Sequence, residues 1–259
     1  MQRMPDDFVD LIITSPPYDD LRDYHGCEWN LRIFQDVALG MYRILKPGGV
    51  VVWIVNDKTD NGSESLTSFL QQMYFRFFAG FNLHDTMIWE KPGSSNPSSN
   101  RYHQIFEYMF ILSKGKPKTF NGIKDRKNLW QRRFGKGTVR GKDGELRNTK
   151  KDKIEYDPYG LRFNIWRHKT ASQENIGQEI KHPAPFPEQL TADHIHTWSN
   201  PGELIYDPFG GSGTVAKKAT QMGRNWIISE IAKEYATDAQ KRVEPHLSEI
   251  TMNFGGTTC

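Results

Sequence analysis

Val9-Asp-Leu-Ile-Ile-Thr-Ser-Pro-Pro-Tyr18 decides how the rest of this chain is read. Val9 to Ile13 make a short apolar run, rich in β-branched residues, that reads as a buried strand. Pro16 and Pro17 have no N–H to donate and fix their own φ angles, so the strand stops before them. A stiff turn follows, with the Ser15 hydroxyl, the Ser15 and Pro16 carbonyls and the Tyr18 ring presented together. Ligands of open α/β sheets bind at the carboxyl ends of strands. Rigid acceptors beside a flat ring suit a planar group that carries an exocyclic amine. Taken alone, the tetrapeptide Ser15–Tyr18 reads rather as a proline-stiffened surface turn, since short motifs match by chance, and it is the rest of the chain that reverses this.

The chain of 259 residues, 37% hydrophobic and 25% charged, has enough material for one substantial core with an inserted subdomain. No apolar run approaches the length of a membrane span. The amino-terminal residues Met1 to Asp7 lack the apolar region of a signal peptide. Two cysteines, Cys27 and Cys259, make neither a disulfide framework nor a metal cluster, so no metal and a cytoplasmic location are expected. Charge is uneven. Residues 114–153 hold 15 Lys and Arg against 4 Asp and Glu, a net +11 in a chain whose total is +3. Such a block is the footprint of a polyanion partner, or else a solvated charged loop.

Along the chain, Trp29 to Leu45 has helical spacing and is expected to end at Lys46-Pro-Gly-Gly49. Val50 to Val55 reads as a central strand covered on both faces, ending at the polar pair Asn56-Asp57. Ser65 to Phe78 reads as a helix, and Leu83–Glu90 and Ile105–Leu112 as strands that pair antiparallel at one edge of the sheet. From residue 115 to 175 Gly, Lys and Arg dominate, and Phe134 to Gly144 reads as a loop or short hairpin. Trp130, Phe134, Tyr156, Tyr159, Phe163 and Trp166 are interleaved with the charges, most of them as glue for the insert. After His182-Pro-Ala-Pro-Phe-Pro187 comes a helix from Glu188 to Trp198. A β-α-β-α unit closes the chain: Leu204–Tyr206, Val215–Met222, Trp226–Ser229 and Ala232–Val243.

Asp207-Pro-Phe-Gly-Gly-Ser-Gly-Thr214 lies between a strand and a helix start. Its glycines allow a tight turn and close approach of backbone N–H groups to a ligand. Glu230 ends the next strand, where an acid is placed to bind ribose hydroxyls. The segment is not a P-loop, because no Gly-Lys-Ser/Thr follows. A nicotinamide site lacks the Gly-x-Gly-x-x-Gly spacing it would need.

Taken together, Thr14-Ser-Pro-Pro-Tyr18 early, Asp207–Thr214 late and a basic insert between them resemble an S-adenosylmethionine-dependent DNA amino-methyltransferase of the β arrangement. His182-Pro-Ala-Pro-Phe-Pro187 resembles the family segment that holds the cofactor's methionine end. Gly223-Arg224, Glu230, Tyr235 and Arg242 resemble the pattern that follows the glycine motif. The resemblance implies a Rossmann-like doubly wound sheet with an antiparallel edge hairpin, a circularly permuted motif order and an inserted basic recognition region. It divides the chain into a catalytic half at 1–115, a target-recognition region at 116–178 and a cofactor half at 179–259. It assigns catalysis to Ser15, Pro16, Pro17 and Tyr18. Cofactor binding falls to Thr14, His182, Pro183, Phe186, Asp207, Phe209, Gly210, Gly211, Ser212, Gly213, Thr214 and Glu230. Arg126, Arg132, Arg133, Lys136 and Arg140 are the expected DNA contacts.

The mechanism it implies flips the target base out of the duplex and stacks it on Tyr18, with the amine donating to Ser15 and to the Pro16 carbonyl. Neither cysteine follows a proline in a sheet turn, which counts against cytosine C5 chemistry. Ser15 is typical of cytosine-N4 relatives, whereas adenine-N6 relatives more often carry Asp or Asn there. The expected partner is double-stranded DNA in the cytoplasm of a bacterium or phage, associated with the nucleoid and without any membrane. N4 of cytosine is therefore the expected target, with N6 of adenine as the alternative; a homodimer and a cognate restriction enzyme stay open, as do an RNA methyltransferase and a non-catalytic DNA-binding relic. One family strand, beside the cofactor's adenine, has no match after Met1. It is expected upstream, or else the tail His246–Cys259 fills its place.

Overall fold

Apolar residues in unbroken β-branched runs bury on both faces of a sheet, and that rule places the middle of this molecule. The computed structural model describes residues 1–17, 29–93, 99–128, 137–149, 157–174 and 186–253. All six residues of strand β1 (Val9–Thr14) are buried. Helix α1 (Leu31–Ile44) begins at Asn30, whose side chain caps the Ile33 N–H at 3.0 Å. Strand β2 (Leu45–Val55) follows at once, buried throughout Val50–Val55. A two-residue hairpin, β3 (Thr59–Asp60) with β4 (Ser63–Glu64), leads to α2 (Thr67–Phe77). Strands β5 (Asn82–Glu90) and β6 (Phe106–Ser113) come next.

Lys46–Gly49 differs from the expected helix stop. The helix ends at Ile44, and these four residues lie inside β2, where Leu45 pairs with Val9 but Val50 already pairs with Leu11. The excess residues are absorbed by an irregular stretch with Gly48 at φ +78. The Gly48 N–H donates to the Lys114 carbonyl at 2.6 Å, so the stretch is tied to the chain beyond β6.

A second unit, Gly122–Phe163, holds two small antiparallel pairs: β7 (Arg126–Lys127) pairs with β10 (Tyr159–Gly160), and β8 (Gly137–Arg140) with β9 (Leu146–Thr149). The second hairpin agrees with the loop-or-hairpin reading of this stretch. This compact unit falls inside the expected 116–178 region. Residues from Asn164 onward return to the main unit, and β11 (Ile165–Arg167) pairs parallel with β5. Trp166 is therefore a buried member of the main sheet, while Tyr159 and Phe163 are exposed. Trp130, Phe134 and Tyr156 lie outside the described residues.

The chain closes with α3 (Glu188–Trp198), β12 (Leu204–Asp207), α4 (Thr214–Gln221), β13 (Asn225–Ile228) and α5 (Lys233–Asn253). The seven-stranded sheet has the order β11-β5-β6-β2-β1-β12-β13. Antiparallel pairs join β6 to β2 and to β5, and the other pairs are parallel. The expected antiparallel hairpin is thus present, with β11 as one further strand outside it.

Alternate residues of β2 divide between the two faces. Val51, Trp53 and Val55 join Phe34, Met41 and Phe75 of α1 and α2 in one core cluster. On the other face α3 and α4 cover the sheet, with His194 of α3 at 3.3 Å from the Met109 sulfur. The described part of the tail supplies no strand. His246 to Asn253 continue α5 through the exposed Pro245, and among the described residues nothing pairs with the outer edge of β13.

Candidate active site

In parallel strands that neighbour one another, the carboxyl ends come side by side. Strands β1 and β12 pair with Leu11 opposite Ile205 and Ile12 opposite Tyr206, so the turns after Thr14 and after Asp207 emerge together. Thr14 Oγ1 donates to Asp207 Oδ1 at 2.7 Å, and both side chains are buried. Ser15 and Pro17 are half-buried and Pro16 is buried directly beyond this bond.

The second turn is built from close approaches. The Asp207 carboxylate also accepts from the Phe209 N–H at 3.0 Å, which starts the turn. The Gly210 N–H donates to the Ser229 carbonyl at 2.8 Å, and a Cβ at Gly210 would lie 2.9 Å from Ile228 Cβ. Gly213 has φ +74, and a Cβ there would stand 2.8 Å from Ala239 Cβ. Only glycine serves at these two positions. Ser212 and Thr214 are buried beside them. Glu230, at the end of the next strand, accepts the Gly211 N–H at 2.8 Å on one oxygen and the Ala232 N–H at 2.8 Å on the other.

Burial pushes the Asp207 carboxyl up to about 7, and the nearby Glu230 charge adds to this, against the hydrogen bonds from Thr14 and the Phe209 N–H. A buried carboxyl of this kind gains most from an arriving cation. The turn, with its close backbone approach, its positive-φ glycines and its two carboxylates, fits a cationic nucleoside cofactor. Phe209 adds a wall, with its ring 5.3 Å from Trp29 and 6.4 Å from Trp53. Phe186 is half-buried just before Pro187, the N-cap of α3.

Thr14, Ser15, Pro16, Pro17, Asp207, Phe209, Gly210, Gly211, Ser212, Gly213, Thr214 and Glu230 therefore lie at neighbouring strand ends. Tyr18, His182 and Pro183 fall outside the described residues, as do Arg132, Arg133 and Lys136. Arg126 and Arg140 belong to the Gly122–Phe163 unit. Arg140 is exposed at the end of β8. Arg126 is engaged within its own unit: Nε donates to the Leu161 carbonyl at 3.0 Å, and the guanidinium sits 4.5 Å from the Phe163 ring centroid.

Part of the basic block is structural. Lys114 pairs with Asp7, and Lys118 with Asp10 and Glu203. Asp10 is 4% exposed, and its pKa is lowered: burial works against this but is outweighed by Lys118, Lys46 and the Leu204 N–H. Asn56-Asp57 also has local duties. Asp57 accepts the Ser68 N–H at 2.9 Å and the Ser68 hydroxyl, fastening the start of α2, while Asn56 accepts from Gln104 at 2.9 Å. The aromatic wall around Phe209 was not legible in the sequence, since Trp29 and Trp53 read as helix and core residues.

A family model described as DNA methylase, of the N6/N4 type, matches residues 9–241. The orphan methyltransferase M.BamHII of Bacillus amyloliquefaciens is 51% identical over 244 residues, covering 92% of this chain and 90% of its own. The DNA adenine methyltransferase YhdJ of Escherichia coli (strain K12) is 26% identical, covering 94% of this chain and 79% of its own. Among solved structures, the cytosine-N4-specific PvuII DNA methyltransferase superposes with a TM-score of 0.65 at 19% identity, covering 96% of this chain and 88% of that one. It shares the fold. On the family match and the M.BamHII identity, with two motif turns side by side at the sheet's carboxyl edge, the chain belongs to the N6/N4 DNA methylases.

Proposed function

We propose that this DNA methyltransferase transfers a methyl group from S-adenosylmethionine to N4 of cytosine in duplex DNA. The observation that carries the reading is the Thr14–Asp207 hydrogen bond, which sets the Ser15-Pro-Pro turn and the glycine turn side by side. When bound, S-adenosylmethionine supplies an electrophilic methyl group on a sulfonium. The chain's own residues do the rest. Asp207 and Glu230 offer carboxylates to the cofactor's polar groups, and Gly211 to Gly213 allow its backbone contact. Ser15 Oγ and the Pro16 carbonyl accept from the base amine, which draws the nitrogen lone pair out of conjugation and aims it at the methyl group. Tyr18 stacks on the flipped ring. Catalysis is then mainly positioning with exclusion of water.

Cytosine is favoured by Ser15. The hydroxyl is short and neutral, so the amine must come close, which suits the smaller pyrimidine ring. The Gly122–Phe163 unit holds the DNA through its basic residues, in the bacterial cytoplasm. On α2, Phe69, Leu70, Met73 and Phe77 recur at helical spacing, with Leu66 at its N-cap, and the five are 42–69% exposed. Such a patch marks an interaction face, here assigned to a second copy of the chain. Sedimentation of wild type and Leu70→Glu tests that assignment, with a dimer lost only in the variant.

The deciding experiment is mass spectrometry of nucleosides from duplex DNA methylated by the purified protein. N4-methylcytosine is expected. N6-methyladenine alone would overturn the base assignment, an outcome for which YhdJ, named as an adenine methyltransferase, is the precedent among the relatives.

A further inference from the structure

Glu188, the first residue of α3, gathers three cations. Its Oε1 takes Lys217 Nζ at 2.6 Å and also Arg242 Nη2, and its Oε2 takes Lys218 Nζ at 3.0 Å. All four side chains are only 12–20% exposed, so solvent and salt screen the cluster weakly. Burial alone would raise the Glu188 carboxyl, but Lys217 and Lys218 outweigh it and hold the group at about 2. The carboxylate is therefore a fixed anion at any working pH.

Arg242 differs from the two lysines in where its second arm goes. Nη1 donates to the Ser212 carbonyl at 3.1 Å, to Ser212 Oγ at 3.3 Å and to Thr214 Oγ1 at 2.9 Å. Among the described residues, neither lysine side chain bonds to the 210–214 turn. Lys217 and Lys218 sit on α4, while Arg242 comes from α5 and Glu188 from α3. One planar guanidinium thus joins the start of α3 to the middle of the glycine turn. The turn needs such a tie, because Gly211 and Gly213 sit at positive φ and glycine backbone loses the most freedom when held in one shape. Lysine cannot reproduce the tie, since its single ammonium does not span two acceptor groups as a fork does.

We propose that Arg242, anchored by Glu188, is a positioning residue that holds the glycine turn in its cofactor-binding shape without touching the cofactor. The inference rests on the S-adenosylmethionine reading of this turn. It makes the α5 arginine a determinant of cofactor affinity, acting through the Ser212 carbonyl and the Thr214 hydroxyl.

The test uses the full chain and compares Arg242→Lys, Glu188→Gln and Lys218→Met. Three quantities are read: the S-adenosylmethionine Kd by calorimetry, the KM and kcat on duplex DNA, and Tm. Arg242→Lys should raise Kd and KM for S-adenosylmethionine about tenfold, the scale of one lost charged hydrogen bond, with kcat at saturation within about threefold. Glu188→Gln should raise Kd in the same direction, and the double variant should be no worse than Arg242→Lys alone. Lys218→Met removes an ion pair from the same carboxylate without touching the turn. It should lower Tm while leaving Kd within about twofold. Wild-type Kd in folded Arg242→Lys and Glu188→Gln, or an equal rise in Lys218→Met, would overturn the proposal. A wild-type chain that does not bind S-adenosylmethionine would instead sink the cofactor reading, and this inference with it.

Discussion

Thr14 and Asp207, 193 residues apart, are joined by a 2.7 Å hydrogen bond between the last residues of two adjacent parallel strands. The bond does two things at once. It fixes the relative height of the two turns, and it gives a buried carboxyl one of its two described donors. Replacing Thr14 with Val keeps the shape and removes the donor. Stability should fall by about 1–3 kcal/mol, the cost of a buried acceptor losing its partner, and the S-adenosylmethionine Kd should rise. Chemical denaturation and calorimetry check both, and a variant that matches wild type in each would show the bond to be incidental.

Asp207 also predicts how stability depends on pH. Its folded pKa lies near 7, above the value of about 3.9 for an unfolded chain. Between about pH 4 and 7 the native state therefore holds a proton that the unfolded state has released. Stability of the ligand-free protein should fall as pH rises through this window, by at most about 4 kcal/mol from this group. Glu188 acts with the opposite sign, but its stabilisation is lost only as pH falls from about 4.5 toward 2, below the pH range of 5 to 8 in which Asp207 is tested. Denaturant titrations from pH 5 to 8 should show a shallower slope in Asp207→Asn than in wild type. An identical slope would mean that Asp207 is already ionised at pH 5.

Ser15→Ala removes the proposed side-chain acceptor for the base amine. By analogy with the loss of a single oxyanion-hole donor, the chemical step should slow by about 2.7–4 kcal/mol of barrier, or roughly 100- to 1,000-fold. Cofactor affinity should hardly change, because Ser15 lies on the catalytic turn and not on the glycine turn. Single-turnover methylation in the variant at the wild-type rate would remove Ser15 from catalysis.

The basic insert should dominate the salt dependence of DNA binding. Alanine at Arg132, Arg133 and Lys136 together should weaken binding to all sequences. The log–log salt slope should flatten by about 0.9 for each phosphate no longer neutralised. Arg126→Ala should behave differently, because its guanidinium is tied to Leu161 and Phe163 and its loss should loosen the unit itself. Fluorescence anisotropy across a salt series separates the two cases, and an unchanged slope in the triple variant would mark those charges as merely solvated.

By itself the sequence determined the elements whose causes are local. A β-branched run stopped by two prolines gives β1, an apolar run from Val50 to Val55 gives the central strand, and three glycines between Asp207 and Thr214 give the turn before α4. Each follows from the covalent properties of neighbouring residues. Tertiary structure alone decided what depends on partners far along the chain. Ile165–Arg167 looked like part of a charged insert, yet they pair with β5, because a short apolar segment gains more by completing a sheet edge than by staying in a loop. Lys46–Gly49 looked like a helix stop and became part of β2, because the pairing of Val9 with Leu45 and Leu11 with Val50 sets these four residues against Asp10 alone and leaves three to absorb. The charge state of Asp207 and the reach of Arg242 to Ser212 were invisible for the same reason. Burial and hydrogen-bond partners set them, and both exist only once strands and helices from opposite ends of the chain have packed.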